Sequence, residues 1–305
     1  MAYAQLPMPV LDALPLGAHL VDASHGDSCE GVLSGGSACL TALTDEALFR
    51  AVGVRIAFTN REGGVSEGPY ASLNCALHVD DDPAAVTCNH RIVLQAIGAP
   101  HARLIVPNQV HGTHVVCVGA VSDTYSSVRE PRDEVAIAQR EASEGADAVV
   151  VGVSGVAALM NFADCLPLIL VAPDGSFAVA HAGWRGAVAR VASKAALALA
   201  DMSGLAPHEF NAYIGPHIRS ECFEVGGEVA QAFEAVYGCV ALPDKCHVSL
   251  ANAVTADLMG VGLDERRIAD AHVCTKCSAQ RYFSYRAENG VCGRHAAVAV
   301  RVERG

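Results

Sequence analysis

The amino-acid sequence predicts an α/β fold of the mixed α+β kind, with mixed sheets in a single domain and helices packed outside them. First, 51% of the 305 residues are hydrophobic, which is enough for a substantial core. Second, the predicted strands and helices alternate along the chain. Third, several strand pairs are joined by short turns, which favours mixed sheets over a doubly wound parallel sheet.

The first 50 residues differ from the rest of the chain. They contain Pro7, Pro9 and Pro15, and their hydrophobic periodicity is weak. We therefore expect an N-terminal extension of unknown role over residues 1–50, followed by a domain over residues 51–305.

Short apolar runs bounded by glycine, proline or polar residues predict the strands. They are residues 54–59, 104–106, 114–118, 148–153, 156–162, 166–172, 177–180, 211–214, 282–286 and 296–302, with a further strand that ends at residues 272–274. The polar stretch over residues 120–145 indicates an insertion or flap.

The helices are predicted from their composition and their terminal residues. Asp82 is a good N-cap, Pro83 fits the first turn and Gly98 suits the end, so a helix is expected over residues 83–97. The other helices are expected at residues 133–143, 187–202 and 227–237, and from Ser249 to about residue 259.

The most informative stretch is a predicted hairpin over residues 161–186. Asp174 and Gly175 form a turn signal between its two strands. Cys165 precedes the first strand and His181 ends the second, so the thiol and the imidazole are expected at the same sheet edge. Asp164 lies beside the thiol, and Arg185 follows in a glycine-rich turn.

His111, Cys165 and His181 form a candidate metal site, because two imidazoles and a thiolate suit zinc and would also accept copper. Residue spacing alone leaves alternatives open. Both histidines and the cysteine could simply be packing residues, or Cys165 could be a nucleophile with a histidine as its base. A carboxylate at Asp164 would raise the thiol pKa, which favours a metal to hold the thiolate.

The formal net charge of −12 argues against binding to nucleic acid and to anionic membranes. A bound phosphate would therefore need local cations. Arg61 and Arg185 are candidates because neighbouring glycines permit close approach of a ligand. Asn74 and His78 are candidate polar binding groups in a loop. No GxxxxGK or strand-linked GxGxxG motif supports nucleotide binding of those kinds.

Twelve cysteines in irregular spacing, with no basic residue before Arg50, fit neither a disulfide framework nor a signal peptide. The most apolar run, residues 148–163, is too short and too interrupted to cross a bilayer. We expect a cytoplasmic protein whose thiols are reduced and mostly buried. The CxxC formed by Cys274 and Cys277 could be a redox pair, half of a zinc site or a packing pair.

Several sequence blocks, taken together, resemble one known family. They are REGGVSEGPYASLN with HVDDDP, NQVHG, GADAVV, ADCLPLIL, AHAGWRG, IGPHIRSECFEVG, CTKC with YFSYR, and GRHAAV. In this order, from about residue 54 to residue 302, they resemble the laccase-domain family. Its members were once described as multicopper polyphenol oxidases and are now regarded as purine nucleoside phosphorylases with adenosine deaminase activity.

The resemblance implies a zinc site, with copper possible, whose ligands are His111, Cys165 and His181. It implies phosphorolysis of adenosine, inosine or 5'-methylthioadenosine, with adenosine deamination as a second activity. We expect purine nucleosides and phosphate as partners and leave the oligomeric state open.

The catalytic candidates are Asp164, Cys165, Arg61 and Arg185, and the substrate-binding candidates are Asn74, His78, Arg61 and Arg185. Two departures from the family pattern are visible: Asp80 replaces a glycine beside His78, and Tyr282 replaces the first aromatic residue of FFSYR.

Other classes of protein could use the same residues. A cysteine hydrolase or amidase would use Cys165 directly. A copper-dependent polyphenol oxidase would need several HxH pairs, which the sequence lacks. A non-catalytic zinc protein would have a fourth protein ligand and no open position.

Overall fold

The fold is known from a computed structural model that describes residues 3–17, 40–119 and 131–302. Within those ranges, twelve strands form two six-stranded mixed sheets, and seven α-helices accompany them. The predicted mixed α+β class is therefore confirmed. No helix in the described ranges is long and apolar enough to cross a membrane.

The first sheet has the strand order β1-β2-β3-β12-β7-β4. Its strands are β1 Asp12–Leu16, β2 Leu40–Thr44, β3 Val54–Thr59, β4 Arg103–Ile105, β7 Val156–Phe162 and β12 His295–Arg301. Only the β4–β7 pair in this described sheet is parallel.

The second sheet has the strand order β11-β10-β8-β9-β6-β5. Its strands are β5 Val115–Val118, β6 Ala148–Val151, β8 Leu166–Val171, β9 Phe177–Ala182, β10 Asn211–Ile214 and β11 Ile268–Asp270. The β5–β6 and β10–β11 pairs are parallel, and the other pairs are antiparallel.

The α-helices lie on the outer faces and edges of the sheets. They are α1 Glu46–Val52, α2 Pro83–Ala96, α3 Pro131–Glu144, α4 Trp184–Val188, α5 Val191–Ser203, α6 Gly227–Tyr237 and α7 Leu250–Gly260. As the sequence predicts, the Asp82 side chain caps α2 by accepting a bond from the Ala84 amide, and the Ser249 side chain caps α7.

The core has three apolar layers. One joins the two sheets and includes Phe58, Met160 and Val179. A second lies between the second sheet and the helices α5 and α7, and a third lies between the first sheet and α2. Strands buried on both faces explain why runs such as β8 are apolar at every position rather than alternating.

The described residues that precede β3 pack against the rest of the chain. Strands β1 and β2 extend the first sheet, and α1 precedes β3. The weak periodicity of this segment did not predict these elements. Residues 18–39, like residues 120–130 of the predicted flap, lie outside the described ranges, whereas α3 confirms the helix expected at the end of that flap.

The predicted strand at residues 282–286 is wrong, because the segment forms consecutive turns. The amides of Tyr282 and Glu288 bond to carbonyls four residues earlier, at Ser278 and Ser284, so the segment is folded too tightly for a strand ladder. The strand expected to end at residues 272–274 ends at Asp270, and only an isolated bridge pairs Cys274 with His217.

Candidate active site

The central hairpin forms as its sequence predicts. Strands β8 and β9 pair antiparallel, and Pro167 lies opposite His181. The turn is closed by bonds from the Ala172 amide to Ser176 and from the Gly175 amide to Ala172. Cys165, two residues before Pro167, therefore comes to the same sheet edge as His181.

Alternation along β9 explains the direction of the imidazole. Phe177 and Val179 point into the layer between the sheets, so His181, two residues further, leaves the strand on the same face. Its ring contacts that of Phe162, with centroids 5.4 Å apart. The site therefore lies at one end of the layer between the two sheets.

The predicted ligands come together at this point. The ligand atoms of His111, Cys165 and His181 all lie within 4.8 Å of one another. Cys165 Sγ is 3.8 Å from His111 Nε2, and the two imidazole rings meet edge to face with centroids 4.8 Å apart. Two nitrogen donors and one sulfur donor form a set that suits zinc and leaves a position for substrate or water.

Asp147 supports this cluster through hydrogen bonds, and sequence reasoning did not identify it. His181 Nδ1 donates to Asp147 Oδ1 at 2.7 Å, which leaves Nε2 of the ring available to a metal. The same carboxylate accepts bonds from the backbone amides of His111 and Gly112, at 3.0 and 2.6 Å. One carboxylate thus orients both the second imidazole and the loop of the first. Its sequence signal is the aspartate of the GADAVV block.

Charge coupling within the cluster shifts the pKa values strongly. Burial acts to raise the pKa of Cys165, but the His181 charge and the bonds from His111 and His181 outweigh it, and the pKa falls to about 6. Burial acts to lower the pKa of His181, but the Cys165 thiolate and the Asp147 carboxylate raise it to about 9. Without a metal, the pair is therefore a thiolate and an imidazolium near neutral pH.

The backbone around the ligands is specialised. His111 and Asp164 both have positive φ, at 59° and 88°, which is uncommon for residues other than glycine. A Cβ atom at Gly183 would lie 2.7 Å from His111 Cδ2 and 3.2 Å from Cys165 Sγ. Only glycine fits there without displacing a ligand, so the donor set rests in a close-fitting cradle.

A cavity of about 420 Å³ opens beside the cluster, and all three predicted ligands line it. His78 lines the cavity as well, and its binding role stays a prediction. Arg286 and Arg294 also lie on its wall. Sequence reasoning noted Arg286 only as an arginine in a turn-rich segment and missed Arg294, which lies in the GRHAAV block.

The cavity has a positive side. Burial lowers the pKa of His78, and the charge of Arg294 lowers it further, followed by the charges of His111 and His181. Arg286 is anchored by bonds from its guanidinium to the Glu224 carbonyl, at 3.1 and 3.2 Å. Arg294 bonds to the carbonyls of its own turn. These cations can receive an anion in a protein whose net charge is −12.

The other walls are amide and aromatic. Gln109 exchanges two bonds with the backbone of Asn161, at 2.9 and 2.8 Å, and both residues line the cavity. Asn161 Oδ1 is buried and has no hydrogen-bond partner in the described ranges. Phe223 and Tyr285 provide aromatic surface. A cavity lined by amide and aromatic side chains suits a flat heterocycle.

Asp164 lines the cavity, but its carboxylate is engaged elsewhere. Oδ1 accepts from the Thr275 hydroxyl at 2.6 Å, and Oδ2 accepts from the Arg286 amide at 2.7 Å. The carboxylate therefore ties the segment after β11 to the edge of β8. This arrangement favours a positioning role over proton transfer.

Three predicted residues lie away from the cavity wall. Arg61 donates to the carbonyls of Ala71 and Ala279 and pairs with Glu288 at 3.0 Å. Arg185 is exposed and lies over the Trp184 ring. The structure does not place Arg61 and Arg185 at the cavity. Their roles toward phosphate stay predictions.

Asn74 is fully buried and is used by its own loop. Its amide donates to Asp81 Oδ2 at 2.8 Å, and its Oδ1 accepts from the Arg294 amide at 2.9 Å. Asn74 therefore links the loop of His78 to the loop of Arg294. Its predicted contact with substrate also stays a prediction.

Comparison with known proteins agrees with this architecture. A "Purine nucleoside phosphorylase" of Deinococcus radiodurans is 34% identical over 247 residues, covering 79% of this chain and 87% of the relative. An "Adenosine deaminase" of an unknown prokaryotic organism is 31% identical, covering 75% and 87%. The solved structure of YlmD from Geobacillus stearothermophilus has a TM-score of 0.73 at 28% identity, covering 86% of this chain and 96% of that one.

The family itself follows from the extent of the match. Residues 55–302, which contain all three metal-ligand candidates and every described wall of the cavity, match the family described as multi-copper polyphenol oxidoreductase laccase. This chain therefore belongs to the multi-copper polyphenol oxidoreductase laccase family.

Proposed function

We propose that this protein is a zinc-dependent purine nucleoside phosphorylase with adenosine deaminase activity. It would convert adenosine, inosine or 5'-methylthioadenosine and phosphate to the free base and a ribose 1-phosphate. The observation that carries the proposal is that the His111–Cys165–His181 donor set shares one cavity with the cations Arg286 and Arg294. The proposal is also supported by the name of the Deinococcus relative.

Phosphorolysis needs an anion held against the sugar. We assign this task to Arg286 and Arg294, because guanidinium groups bind phosphate with paired, charge-assisted hydrogen bonds. His78 lines the same cavity, close enough to Arg294 for that charge to lower its pKa, and can donate a further bond. Arg61 and Arg185 would have to rearrange to reach the cavity, so we keep them as the less direct assignment.

The base needs a surface and an orienting group. Phe223 and Tyr285 offer aromatic faces for the purine, and Asn161, which lines the same cavity, is the candidate orienting group. Cleavage of the glycosidic bond leaves negative charge on the departing base. The positive field of the cavity favours that charge as it develops.

The residues present fit zinc, because Asp147 frees Nε2 of His181 and the Cys165 thiol is already acidic. A bound zinc ion would supply Lewis acidity and lower the pKa of water to about 7, which deamination at a purine carbon requires. His111, Cys165 and His181 would hold it. Copper could occupy the same donors, and zinc is the simpler assignment for a non-redox reaction.

A second candidate function has one specific observation in its favour. A thiolate at Cys165 beside the His181 imidazolium is also the arrangement of a cysteine hydrolase. Metal dependence separates the two, since a cysteine hydrolase gains its nucleophile when the metal is removed. The proposal includes a cytoplasmic location, because thiolate ligands persist in a reducing compartment.

The test measures base release from inosine, adenosine and 5'-methylthioadenosine with and without phosphate, together with ribose 1-phosphate. The informative variant is Arg294→Gln, which we expect to raise the phosphate KM about 10–100-fold through the loss of charge-assisted bonds. Arg266→Gln is the matched control, because that arginine is exposed and paired with Asp264. Base release without phosphate, at the same rate, would refute phosphorolysis.

A further inference from the structure

Three thiols lie together outside the site described above. We propose that Cys222, Cys274 and Cys277 bind a second zinc ion. Cys222 follows β10, and the CxxC of Cys274 and Cys277 follows β11. The parallel pairing of those two strands sends both segments out of the sheet at the same edge. The proposal is independent of the activity assigned above.

The sulfur geometry fits a shared ion. All three Sγ atoms lie within 4.8 Å of one another, and those of Cys222 and Cys277 are 3.4 Å apart. Zinc–sulfur bonds of about 2.3 Å in a tetrahedral arrangement place sulfur atoms about 3.8 Å apart. A disulfide needs a separation of about 2.05 Å, so the three sulfurs are spaced as ligands rather than as a bonded pair.

Backbone bonds hold the thiols in place. The His217 amide donates to the Val273 carbonyl at 3.2 Å, and the Thr275 amide donates to the His217 carbonyl at 3.1 Å. Within the CxxC, the Ser278 amide donates to the Cys274 carbonyl at 3.0 Å. Since these bonds do not involve the sulfurs, the site is preformed, and single cysteine substitutions should leave the fold intact.

The exposure of the three side chains differs from that of a packing cluster. Cys274 is buried, Cys222 is half-buried and Cys277 is exposed. Only four of the ten described cysteines are buried, so burial alone does not account for the high cysteine count. Because exposure rises from Cys274 to Cys277, an ion can enter the site from the side of Cys277, while Cys274 stays shielded from solvent.

Three thiol donors favour a soft metal ion. Binding breaks three S–H bonds, forms three S–Zn bonds and releases three protons to solvent, with no change in oxidation state. Thiolates prefer zinc, Cu(I) and iron–sulfur clusters among biological metals, and zinc requires no co-reactant. With three protein donors, the fourth coordination position is left to water.

The position of the three cysteines indicates what a bound ion would stabilise. The segment of Cys222 also carries Phe223, and the segment after the CxxC carries Tyr285 and Arg286, and all three of these residues line the catalytic cavity. Thr275, inside the CxxC, donates to Asp164. A metal bound by both segments would therefore fasten one wall of the cavity.

The experiment counts zinc in the full-length protein, purified under reducing conditions. We expect two zinc ions per chain for the wild type, and one for Cys222→Ser and for Cys277→Ser. Cys239→Ser is the matched control, because that exposed cysteine lies outside the cluster, and it should retain two. His111→Ala should also drop to one, and the combination with Cys277→Ser should bind none.

A second readout uses the unmodified chain. Zinc should protect Cys222, Cys274 and Cys277 from alkylation, chelation should expose them, and cobalt should produce thiolate-to-metal absorption that Cys277→Ser weakens. One zinc per wild-type chain that His111→Ala removes would overturn the proposal. So would a Cys222–Cys277 disulfide found in the reduced preparation, or alkylation that is indifferent to zinc. None of these results would bear on phosphorolysis at the first site.

Discussion

His181 Nδ1 and Asp147 Oδ1 form a buried hydrogen bond of 2.7 Å. The bond turns the imidazole so that its other nitrogen faces Cys165 and His111, and it places a negative charge beside the candidate metal ligands. Asp147 also receives the amides that shape the His111 loop. One carboxylate outside the donor set therefore determines the geometry of two of its three members.

Asp147→Asn should lower zinc affinity at the first site about 10–100-fold, because a neutral amide orients the imidazole less well and cannot accept all of the amide bonds. The measurement is competition with a chromogenic chelator. Asp201→Asn, an exposed change, should leave the affinity unaltered. An affinity for Asp147→Asn equal to that of the wild type would show that Asp147 does not support the metal.

The pH dependence of zinc binding follows from the pKa values of the metal-free pair. Between the pKa of Cys165, about 6, and that of His181, about 9, only the His181 proton must leave when zinc binds. Affinity should therefore rise about tenfold per pH unit across that interval, with one proton released from the pair. Below the Cys165 pKa, a second proton must leave and the dependence should steepen.

Calorimetry in buffers of different ionisation enthalpy measures the proton count directly. Release of one proton near pH 7.5 is the expected value for this pair. A pH-independent affinity over the same interval would mean that the thiolate–imidazolium pair does not form. Asp147→Asn should reduce the proton release, because the loss of the carboxylate lowers the pKa of His181.

Gly183→Ala should damage the metal site and spare the fold. The added methyl group would press on His111 and Cys165, and overpacking of this kind costs about 1–3 kcal/mol, or roughly 5–150-fold in zinc affinity. Gly227→Ala is the matched control, since its Cβ would meet nothing within 4 Å. Zinc affinity and thermal unfolding should be measured together. A large fall in Tm of the metal-free Gly183→Ala protein would contradict a purely local effect.

Asp164→Asn distinguishes positioning from proton transfer. The change removes one of two charge-assisted bonds, to Thr275 or to Arg286, and should cost about 1.5–3 kcal/mol of stability. We expect KM to rise while kcat changes less than about threefold, as for a residue that shapes the cavity. Thr275→Val, which keeps the carboxylate, should produce the same pattern. A collapse of kcat in Asp164→Asn alone would make Asp164 a proton carrier.

Local signals in the sequence were sufficient for much of this fold and for placing Cys165 and His181 at one sheet edge. The Asp174–Gly175 turn and the apolar runs on either side define the hairpin, and an antiparallel hairpin brings its two ends together by geometry alone. The same reasoning failed at residues 282–286, a series of turns in which Tyr282 and Phe283 are buried and Tyr285 and Arg286 line the cavity. The apolar residues of that segment are buried against distant elements. They are not paired in a sheet, as their pattern had indicated.

The partners of several functional side chains could not be predicted from the sequence, because these contacts join segments that are far apart in the chain. Asp147 reaches His181 across 34 residues, and Cys222 reaches Cys277 across 55. The GADAVV block contains Asp147 but does not reveal its partner, and the CxxC of Cys274 and Cys277 does not reveal that Cys222 joins it. Conversely, the guanidinium of Arg61 looked available beside its glycines, yet it bonds to a carbonyl 218 residues away. Long-range partners decide which polar side chains are free to act.

The most direct test of the central claim is phosphate-dependent base release by protein whose zinc has been counted, compared with His181→Ala and with the exposed control His208→Ala. Ribose 1-phosphate should form from at least one of inosine, adenosine and 5'-methylthioadenosine. The activity should follow zinc occupancy at the first site and be lost in His181→Ala, while His208→Ala keeps it. Turnover that survives removal of the metal, or no base release from fully zinc-loaded protein, would contradict a metal-supported purine nucleoside phosphorylase.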